Sequence, residues 1–238
     1  MPESVDVIIV TLDNAMQLYQ CVNSLRVHNE YPMRMIVVNN GGQDLEAKSD
    51  DILLIKTGKN LGWTGALQEG LKHSKSKYVV FANDDIYIPY SSKDWLKKII
   101  DFMEKHPEVG AVGPASNVVS GRQNIFAFTH TEDNQIAPYL IGFCLVLRRE
   151  ALDKAGGVHD VEVGGDDFDL SIRIKEAGYL LISKRDAFVY HHGFQTGQRI
   201  FGGPEKANGW NSREMIEGTA IELIKKHGFL KYWELFQP

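Results

Sequence analysis

The first half of the chain contains four short apolar runs, and each run ends on polar or glycine residues. The runs cover 5–10, 35–38, 52–55 and 78–82, and they are rich in β-branched side chains. Between them, apolar residues recur at the spacing of one helix face, in the sets Leu18, Val22 and Leu25; Leu67 and Leu71; and Trp95, Ile99, Phe102 and Met103. Buried strands that alternate with helices predict an α/β fold with a mostly parallel, Rossmann-like sheet flanked by helices.

The polar segments that follow these runs predict one ligand site. In an open α/β sheet, ligands bind beyond the carboxyl ends of the strands, where such segments meet. The segments are Asn39-Asn40-Gly41-Gly42, Asn60-Leu61-Gly62-Trp63, Asn83-Asp84-Asp85, Gly165-Asp166-Asp167 and His191-His192. Amide, carboxylate and imidazole groups in this order suit a nucleotide, a divalent cation and a general base.

Composition limits the class of protein. The 238 residues are 43% hydrophobic with a formal charge of -5, and the basic residues are scattered, which argues against a nucleic-acid partner. Cys21 and Cys144 lack metal-type spacing and are interpreted as reduced core thiols of a cytoplasmic protein. The start of the chain does not resemble a signal peptide, and no apolar run is long enough for a membrane span. Any membrane contact is therefore expected to be peripheral.

We predict a single domain over 1–238 with two halves and a tail. The first half, 1–115, would bind a nucleotide, and the second, 116–196, has the α+β character of an acceptor-binding half. Gly113, Pro114 and Asn117 mark a turn near the boundary. The tail, 197–238, is predicted as a loop and an amphipathic helix. Its aromatic run 229–236 could dock on a lipid surface, pair with another subunit or fold back onto the sheet, and we favour folding back.

The strand-end acids and histidines are candidate metal ligands. Asp85 closes a buried strand, where a carboxylate could hold Mg²⁺ or Mn²⁺ against phosphate oxygens, although such acids also serve solvation or helix capping. His191 and His192 follow another apolar strand, and strand alternation sends them to opposite faces. Only one of them should therefore face the cation. We favour His191, and the alternative is that both are surface or hydrogen-bonded histidines.

These segments, in this order, resemble the glycosyltransferase family 2 enzymes of the GT-A fold, with the rhamnosyl and galactosyl glycan-building type as the nearest branch. The first strand ends at Thr11 as in that family, and residues 37–42 are similar to its Val-Val-Asp-Asn-Gly-Ser segment. Asn83-Asp84-Asp85 resembles its Asp-x-Asp metal motif. Residues 142–152 look like its acceptor-side strand and helix, and 165–173 resemble the Glu-Asp-x-Asp-Leu-x-x-Arg segment that carries its catalytic base.

The resemblance implies an inverting transfer of a sugar from a nucleoside-diphosphate sugar to a hydroxyl of a glycan or lipid-linked glycan. Asp167 would be the base, with Asp166 beside it, and Mn²⁺ or Mg²⁺ would lie on Asp85 and a histidine, His191 or His192. The expected nucleotide-sugar contacts are Thr11, Asn39, Asn40, Asn60, Gly62, Trp63, Asn83 and Asp84. Helix capping is the alternative role for Asp166 and Asp167, and Asp169 with Arg173 would form a helical ion pair.

The sequence departs from the family pattern at three places. Asn39 and Asn40 stand where the family often has an acid that contacts uracil or thymine, and because an amide oxygen accepts the same hydrogen bond we favour UDP- or dTDP-linked donors. Asn83 replaces the first acid of the metal motif, and Asp166 replaces the usual Glu. A non-catalytic nucleotide- or glycan-binding protein therefore remains an alternative. A sugar nucleotidyltransferase is a second one, but the segment after the first strand lacks the glycine-rich basic loop that it needs.

Overall fold

The computed structural model describes residues 4–46, 49–126, 133–161, 164–193 and 213–237, with side chains in the last range from 216 onward. The loop predicted over 197–209 lies outside these ranges. The strands are β1 (Val5–Thr11), β2 (Met33–Asn39), β3 (Ile52–Lys56), β4 (Tyr78–Asn83), β5 (Ile86–Tyr87), β6 (Val109–Ala115), β7 (Asn134–Ile136), β8 (Cys144–Arg148), β9 (Leu180–Phe188) and β10 (Tyr190–His191). The helices are α1 (Ala15–Val27), α2 (Gly62–Leu71), α3 (Trp95–Lys105), α4 (Arg149–Lys154), α5 (Asp166–Glu176), α6 (Arg213–His227) and α7 (Phe229–Glu234).

One eight-stranded sheet runs in the order β3-β2-β1-β4-β8-β6-β9-β7. The strands from β3 to β4 are parallel, as are β6 and β9, whereas β8 lies antiparallel between β4 and β6 and β7 is an antiparallel edge. The predicted α/β fold with a mostly parallel sheet is therefore confirmed. Strands from both predicted halves share this sheet, and β6 ends at Ala115, next to the expected boundary.

Both faces of the sheet are covered, which explains why the central strands are continuously apolar. Ile9 faces a core that includes Leu25 of α1 and Trp95 of α3, while Ile8 faces a second core that includes Leu67 of α2. Helix α2 lies very close to β1, because a Cβ added at Gly70 would come within 2.5 Å of the Ile8 side chain. This packing brings the first turn of α2 to the carboxyl ends of β1, β2 and β4.

Several local expectations needed correction. Strand β3 is only half-buried because it is the edge of the sheet, although its apolar run predicted a buried strand. Helix α3 begins after Asp94, whereas Ser91 and Ser92, a residue type that favours helix starts, belong to a short 3-10 turn before it. The acceptor-side strand expected within residues 142–152 starts only at Cys144. None of the helices in the described ranges has the length and apolar composition to cross a bilayer.

The aromatic C-terminal run folds back only in part. Leu235 is buried, and the ring of Phe236 contacts the rings of Tyr139 and Phe168. Trp233, by contrast, is 53% exposed and stacks on the exposed Phe229. The run therefore contributes a few contacts near α5 and leaves an apolar surface open.

Candidate active site

Asp85 and His191 face each other at the end of β4. A two-stranded ribbon brings them together, because Ile86 of β5 pairs with His191 of β10 and the His192 amide donates a 2.9 Å hydrogen bond to the Asp85 carbonyl. Asp85 Oδ1 and His191 Nε2 lie 3.1 Å apart, and both side chains are nearly buried. Neither of these two atoms has a hydrogen bond of good geometry within the described residues. Two facing lone-pair atoms of this kind are a suitable partial shell for a divalent cation.

The orientation of His191 is held by the loop after β6. Its Nδ1 lies 2.6 Å from the Val118 carbonyl and must donate to it, so Nε2 is the atom that can bind a cation. Asn117 bonds both to the His191 amide, at 2.9 Å, and to its carbonyl, at 3.1 Å. The Phe143 ring stacks on the imidazole with 4.9 Å between centroids. Burial lowers the pKa of His191, but the Asp85 carboxylate and the Val118 carbonyl together raise it, so the net pKa lies above its ordinary value.

His192 occupies the opposite position, as strand alternation predicts. Its side chain is exposed, and its ring contacts the ring of Tyr190 edge-on. Only its backbone is tied to Asp85. Of the two histidines, the structure brings His191 to the carboxylate and leaves His192 on the surface.

The neighbouring residues of the Asn83-Asp84-Asp85 segment are fixed by polar contacts to other elements. The Thr11 hydroxyl, at the end of β1, donates a 2.6 Å hydrogen bond to Asp84 Oδ2, and both residues are buried. The indole N–H of Trp63, in the first turn of α2, donates to Asn83 Oδ1 at 3.1 Å. These two bonds join the ends of β1 and β4 to α2.

The amides of Asn39 and Asn40 are engaged within the protein. Asn39 donates to the Gln43 carbonyl at 2.7 Å and accepts from the Gly41 amide. Asn40 donates to Asn60 Oδ1 at 3.0 Å and accepts from the Leu61 amide at 2.8 Å. Both asparagines thus shape the loops beside the site, and their predicted contact with the nucleotide base stays a prediction.

Asn60 and Gly62 form the turn into α2. Asn60 Oδ1 accepts a 2.9 Å hydrogen bond from the Gly62 amide. Gly62 has a φ of +72°, a backbone conformation that is unfavourable for residues other than glycine. This turn sets where Trp63 enters the site.

Asp167 sits in a tight contact with Gly142 and Trp63. A Cβ added at Gly142 would lie 2.4 Å from Asp167 Oδ1 and 2.7 Å from Trp63 Cη2. Asp167 keeps some accessible surface, yet protein atoms surround its carboxyl group, and this burial raises its pKa to about 7. A hydrogen bond from the Gly142 backbone opposes the rise, and the charge of Asp166 adds to it. A carboxyl group with this pKa can take up a proton near neutral pH.

Asp166 lies beside Asp167 and has a more structural environment. Its Oδ1 accepts a 3.0 Å hydrogen bond from the Val161 amide, which holds the loop before α5. Burial raises the pKa of Asp166 to about 6, and the charge of Asp160 contributes to the rise. The pKa values of both neighbouring carboxyl groups are therefore raised above the ordinary value, toward neutral pH. The predicted ion pair between Asp169 and Arg173 is also present, at 2.8 Å.

The part of the chain that the structure describes offers at most two ligands for a metal ion at this place. Within the described ranges, no group of three or more histidine, cysteine, aspartate or glutamate side chains is arranged to hold an ion. The pair Asp85 and His191 nevertheless fits a cation, since both facing atoms are buried and have no other hydrogen-bond partner among the described residues. Cations that act on phosphates are commonly bound by one or two protein ligands together with phosphate oxygens.

The sequence model described as Glycosyl transferase family 2 matches residues 6–156, which is more than half of the chain. The chain belongs to glycosyl transferase family 2. Among relatives of this family 2 protein, an uncharacterized protein of Sinorhizobium fredii, y4gI, is 23% identical over 223 residues, which cover 79% of this chain but only 24% of that relative. The N-acetylglucosaminyl-diphospho-decaprenol L-rhamnosyltransferase of Mycobacterium tuberculosis is 24% identical over 240 residues, covering 81% of this chain and 77% of that enzyme.

Solved structures show the same fold for this glycosyltransferase domain. The mannosyltransferase PcManGT from Pyrobaculum calidifontis, in complex with GDP-Man and Mn²⁺, superposes with a TM-score of 0.63 at 20% identity. The match covers 97% of this chain and 77% of that one. S. aureus TarS, residues 1–349, gives a TM-score of 0.66 at 16% identity over 98% of this chain and 70% of that one. The GT-A fold expected from the resemblance is thereby confirmed.

Two residues of this family 2 site were not predicted as site residues from the sequence. Gly142 contacts Asp167 and Trp63, and only its lack of a side chain allows that approach. Asn117 orients the backbone of His191 from 74 residues away. Gly142 had a weak signal, because a glycine interrupting an apolar segment often marks a close approach. Asn117 gave none beyond its place in a predicted turn.

Proposed function

We propose that this chain is an inverting, metal-dependent glycosyltransferase that moves a sugar from a nucleoside-diphosphate sugar to a hydroxyl group of a glycan or lipid-linked glycan. Family membership supports sugar transfer, and the name of the mycobacterial rhamnosyltransferase relative supports a lipid-linked acceptor. UDP- and dTDP-linked donors are the ones we favour. The single observation that carries the mechanism is the placement of the Asp167 carboxyl group against Gly142 and Trp63, where burial raises its pKa to about 7.

Asp167 acts as the general base in this proposal. As the acceptor oxygen attacks the anomeric carbon, its hydroxyl proton passes to the Asp167 carboxylate, and the nucleoside diphosphate leaves with the electrons of the broken bond. A base with a pKa near the working pH is half deprotonated yet still strong enough to take the proton. Asp166, whose pKa is raised to about 6, would supply a second carboxylate beside it.

Asp85 and His191 would hold Mn²⁺ or Mg²⁺ through Oδ1 and Nε2. When bound, such a cation offsets the negative charge that builds on the leaving diphosphate. Val118 and Asn117 keep His191 in the orientation that presents Nε2. The complex of PcManGT with GDP-Man and Mn²⁺ supports a divalent cation in a protein of this fold.

Trp63 would connect the donor and acceptor sides of the site. Its indole N–H holds Asn83, two residues from Asp85, and its ring edge lies at Gly142, which contacts Asp167. A rigid aromatic side chain in this place fixes the distance between the departing diphosphate and the base. Correct placement of reacting groups supplies a large part of the rate enhancement of a transfer reaction.

The decisive experiment is calorimetric titration of the purified protein with UDP, dTDP, GDP, CDP and ADP, each with and without Mn²⁺. We expect one of these nucleotides to bind tightly, and only when Mn²⁺ is present. Sugar conjugates of that nucleotide are then tested for turnover with glycan acceptors. Metal-dependent binding without turnover or donor hydrolysis would favour the binding-protein alternative. Lack of metal-dependent binding to every nucleotide would contradict the proposed function.

A further inference from the structure

A buried carboxylate on α5 holds the C-terminal helix α6. Asp169 is fully buried, and its Oδ2 accepts a 2.8 Å hydrogen bond from Arg173 Nε on the same helix. Its Oδ1 lies 2.7 Å from His227 Nε2 and 2.8 Å from Lys226 Nζ, both in the last turn of α6. Burial alone would raise the pKa of Asp169, but hydrogen bonds from Lys226, His227 and Arg173 lower it below its ordinary value. The carboxylate is therefore charged at neutral pH.

Helix α6 contacts α5 at a second place, just before the candidate base. A Cβ added at Gly165 would come within 2.6 Å of the Thr219 side chain and 3.6 Å of Leu223 Cδ1. Leu223 is fully buried, so this contact is part of the packed interior. Helix α6 thus contacts Gly165, which precedes Asp166, and Asp169, which follows Asp167 in the sequence. The two contacts bracket Asp166 and Asp167.

The cluster around Asp169 also reaches the loop after α4. Arg173 Nη1 donates to the carbonyls of Ala155 and Gly157, the latter at 2.6 Å. A buried ion cluster adds little net stability compared with apolar packing, because desolvation of its charges offsets their attraction. The hydrogen bonds and ion pairs of this cluster, however, form in only one relative placement of α5, α6 and the loop after α4. We therefore attribute to it the register of α6 on α5.

We propose that Asp169 and His227 are positioning residues for the transfer reaction, because they lock the C-terminal helix onto the helix that carries Asp167. The inference rests on the proposed role of Asp167 as the base. It adds helix α6 to the elements that shape the active site. Asp167 already contacts Gly142 closely, so a small movement of the first turn of α5 would misplace its carboxyl group.

The test compares two replacements of His227. His227→Leu removes the donor to Asp169, and we expect kcat to fall by about 10- to 100-fold, the range that small misplacements of a catalytic group produce. The KM for the donor should stay within about twofold, because the expected donor contacts lie on β1, β2, α2 and β4. His227→Gln keeps an N–H donor at similar reach and should restore most of kcat. Lys225→Gln, on the same helix but outside the cluster, is the matched control.

A second measurement needs no substrate. Amide hydrogen exchange in the first turn of α5, where the Asp169 amide bonds to the Gly165 carbonyl, should become faster in His227→Leu and remain slow in His227→Gln and Lys225→Gln. If His227→Leu does not fold, Lys226→Met removes one contact from a side chain that is 34% exposed, and kcat and exchange should change in the same directions.

Two results would overturn the inference. One is a His227→Leu protein with wild-type kcat and wild-type exchange, and the other is a His227→Gln protein as impaired as His227→Leu. Failure of the proposed function is a separate outcome. If the wild-type protein turns over no donor, a comparison of amide exchange in the wild-type protein and the His227 variants still shows whether α5 depends on His227.

Discussion

Replacing Gly142 with alanine should displace the candidate base. The added Cβ would lie 2.4 Å from Asp167 Oδ1, whereas ordinary van der Waals contact begins near 3.4 Å, so the two groups must separate by about 1 Å. Gly142 does not have a positive φ, and the substitution therefore adds no backbone strain. A displacement of about 1 Å costs on the order of 100-fold in rate, or about 2.7 kcal/mol of transition-state stabilisation.

The assay is steady-state turnover with the donor that the nucleotide titration identifies. Gly142→Ala should lower kcat by about 100-fold and weaken metal-dependent nucleotide binding by a smaller factor, because the added Cβ also lies 2.7 Å from Trp63. Gly178→Ala is the control for lost stability, because Gly178 has a φ of +90° and no atom of the described residues lies within 4 Å of its added Cβ. It should cost about 1–2 kcal/mol in unfolding free energy without changing kcat. A Gly142→Ala protein with wild-type kcat would refute the proposed placement of Asp167 as the base.

Further predictions concern the base and the metal ligands. Asp167→Asn should keep nucleotide binding and lower kcat by several orders of magnitude, since an amide cannot take the proton. Equal losses of nucleotide affinity and of kcat would instead assign Asp167 to nucleotide binding. Because the pKa of Asp167 is about 7, wild-type kcat should fall as the pH drops below that value, and a flat profile would contradict the assignment. The folded pKa lies above the ordinary 3.8, so this group stabilises the fold at low pH and that contribution is lost as the pH rises through about 7. Asp167→Asn should accordingly raise Tm near pH 8 but not near pH 4. His191→Leu should remove the Mn²⁺ dependence of nucleotide binding, and His192→Leu should have a smaller effect. A larger effect of His192→Leu would assign the metal to His192 instead of His191.

Local pattern was sufficient to predict the sheet, and it also predicts where a ligand site would lie. Continuous apolar runs such as 78–82 predict buried strands because both faces of such a strand are covered, and polar residues directly after them lie at the carboxyl edge. The alternation of His191 and His192 also follows from local geometry, because successive strand residues point to opposite faces. These features depend on residues close together in the chain.

Boundaries and edge positions were less predictable. The half-buried β3 has the same composition as a central strand, and only its place at the edge of the sheet exposes it. Ser92 is a residue type that favours helix starts, yet it belongs to a 3-10 turn, and α3 begins after Asp94. In both cases tertiary context overrode a local preference.

The sequence by itself determined the fold class, the strand-end acids and the family resemblance, because these follow from periodicity and short ordered motifs. Only the tertiary structure decided which side chains meet. Gly142 approaches Asp167, Asn117 holds His191, and Asp169 accepts from His227 across 58 residues. Contacts of this kind depend on how separate elements pack, and packing is set by the sum of many side-chain volumes in a dense interior. No local pattern encodes that sum.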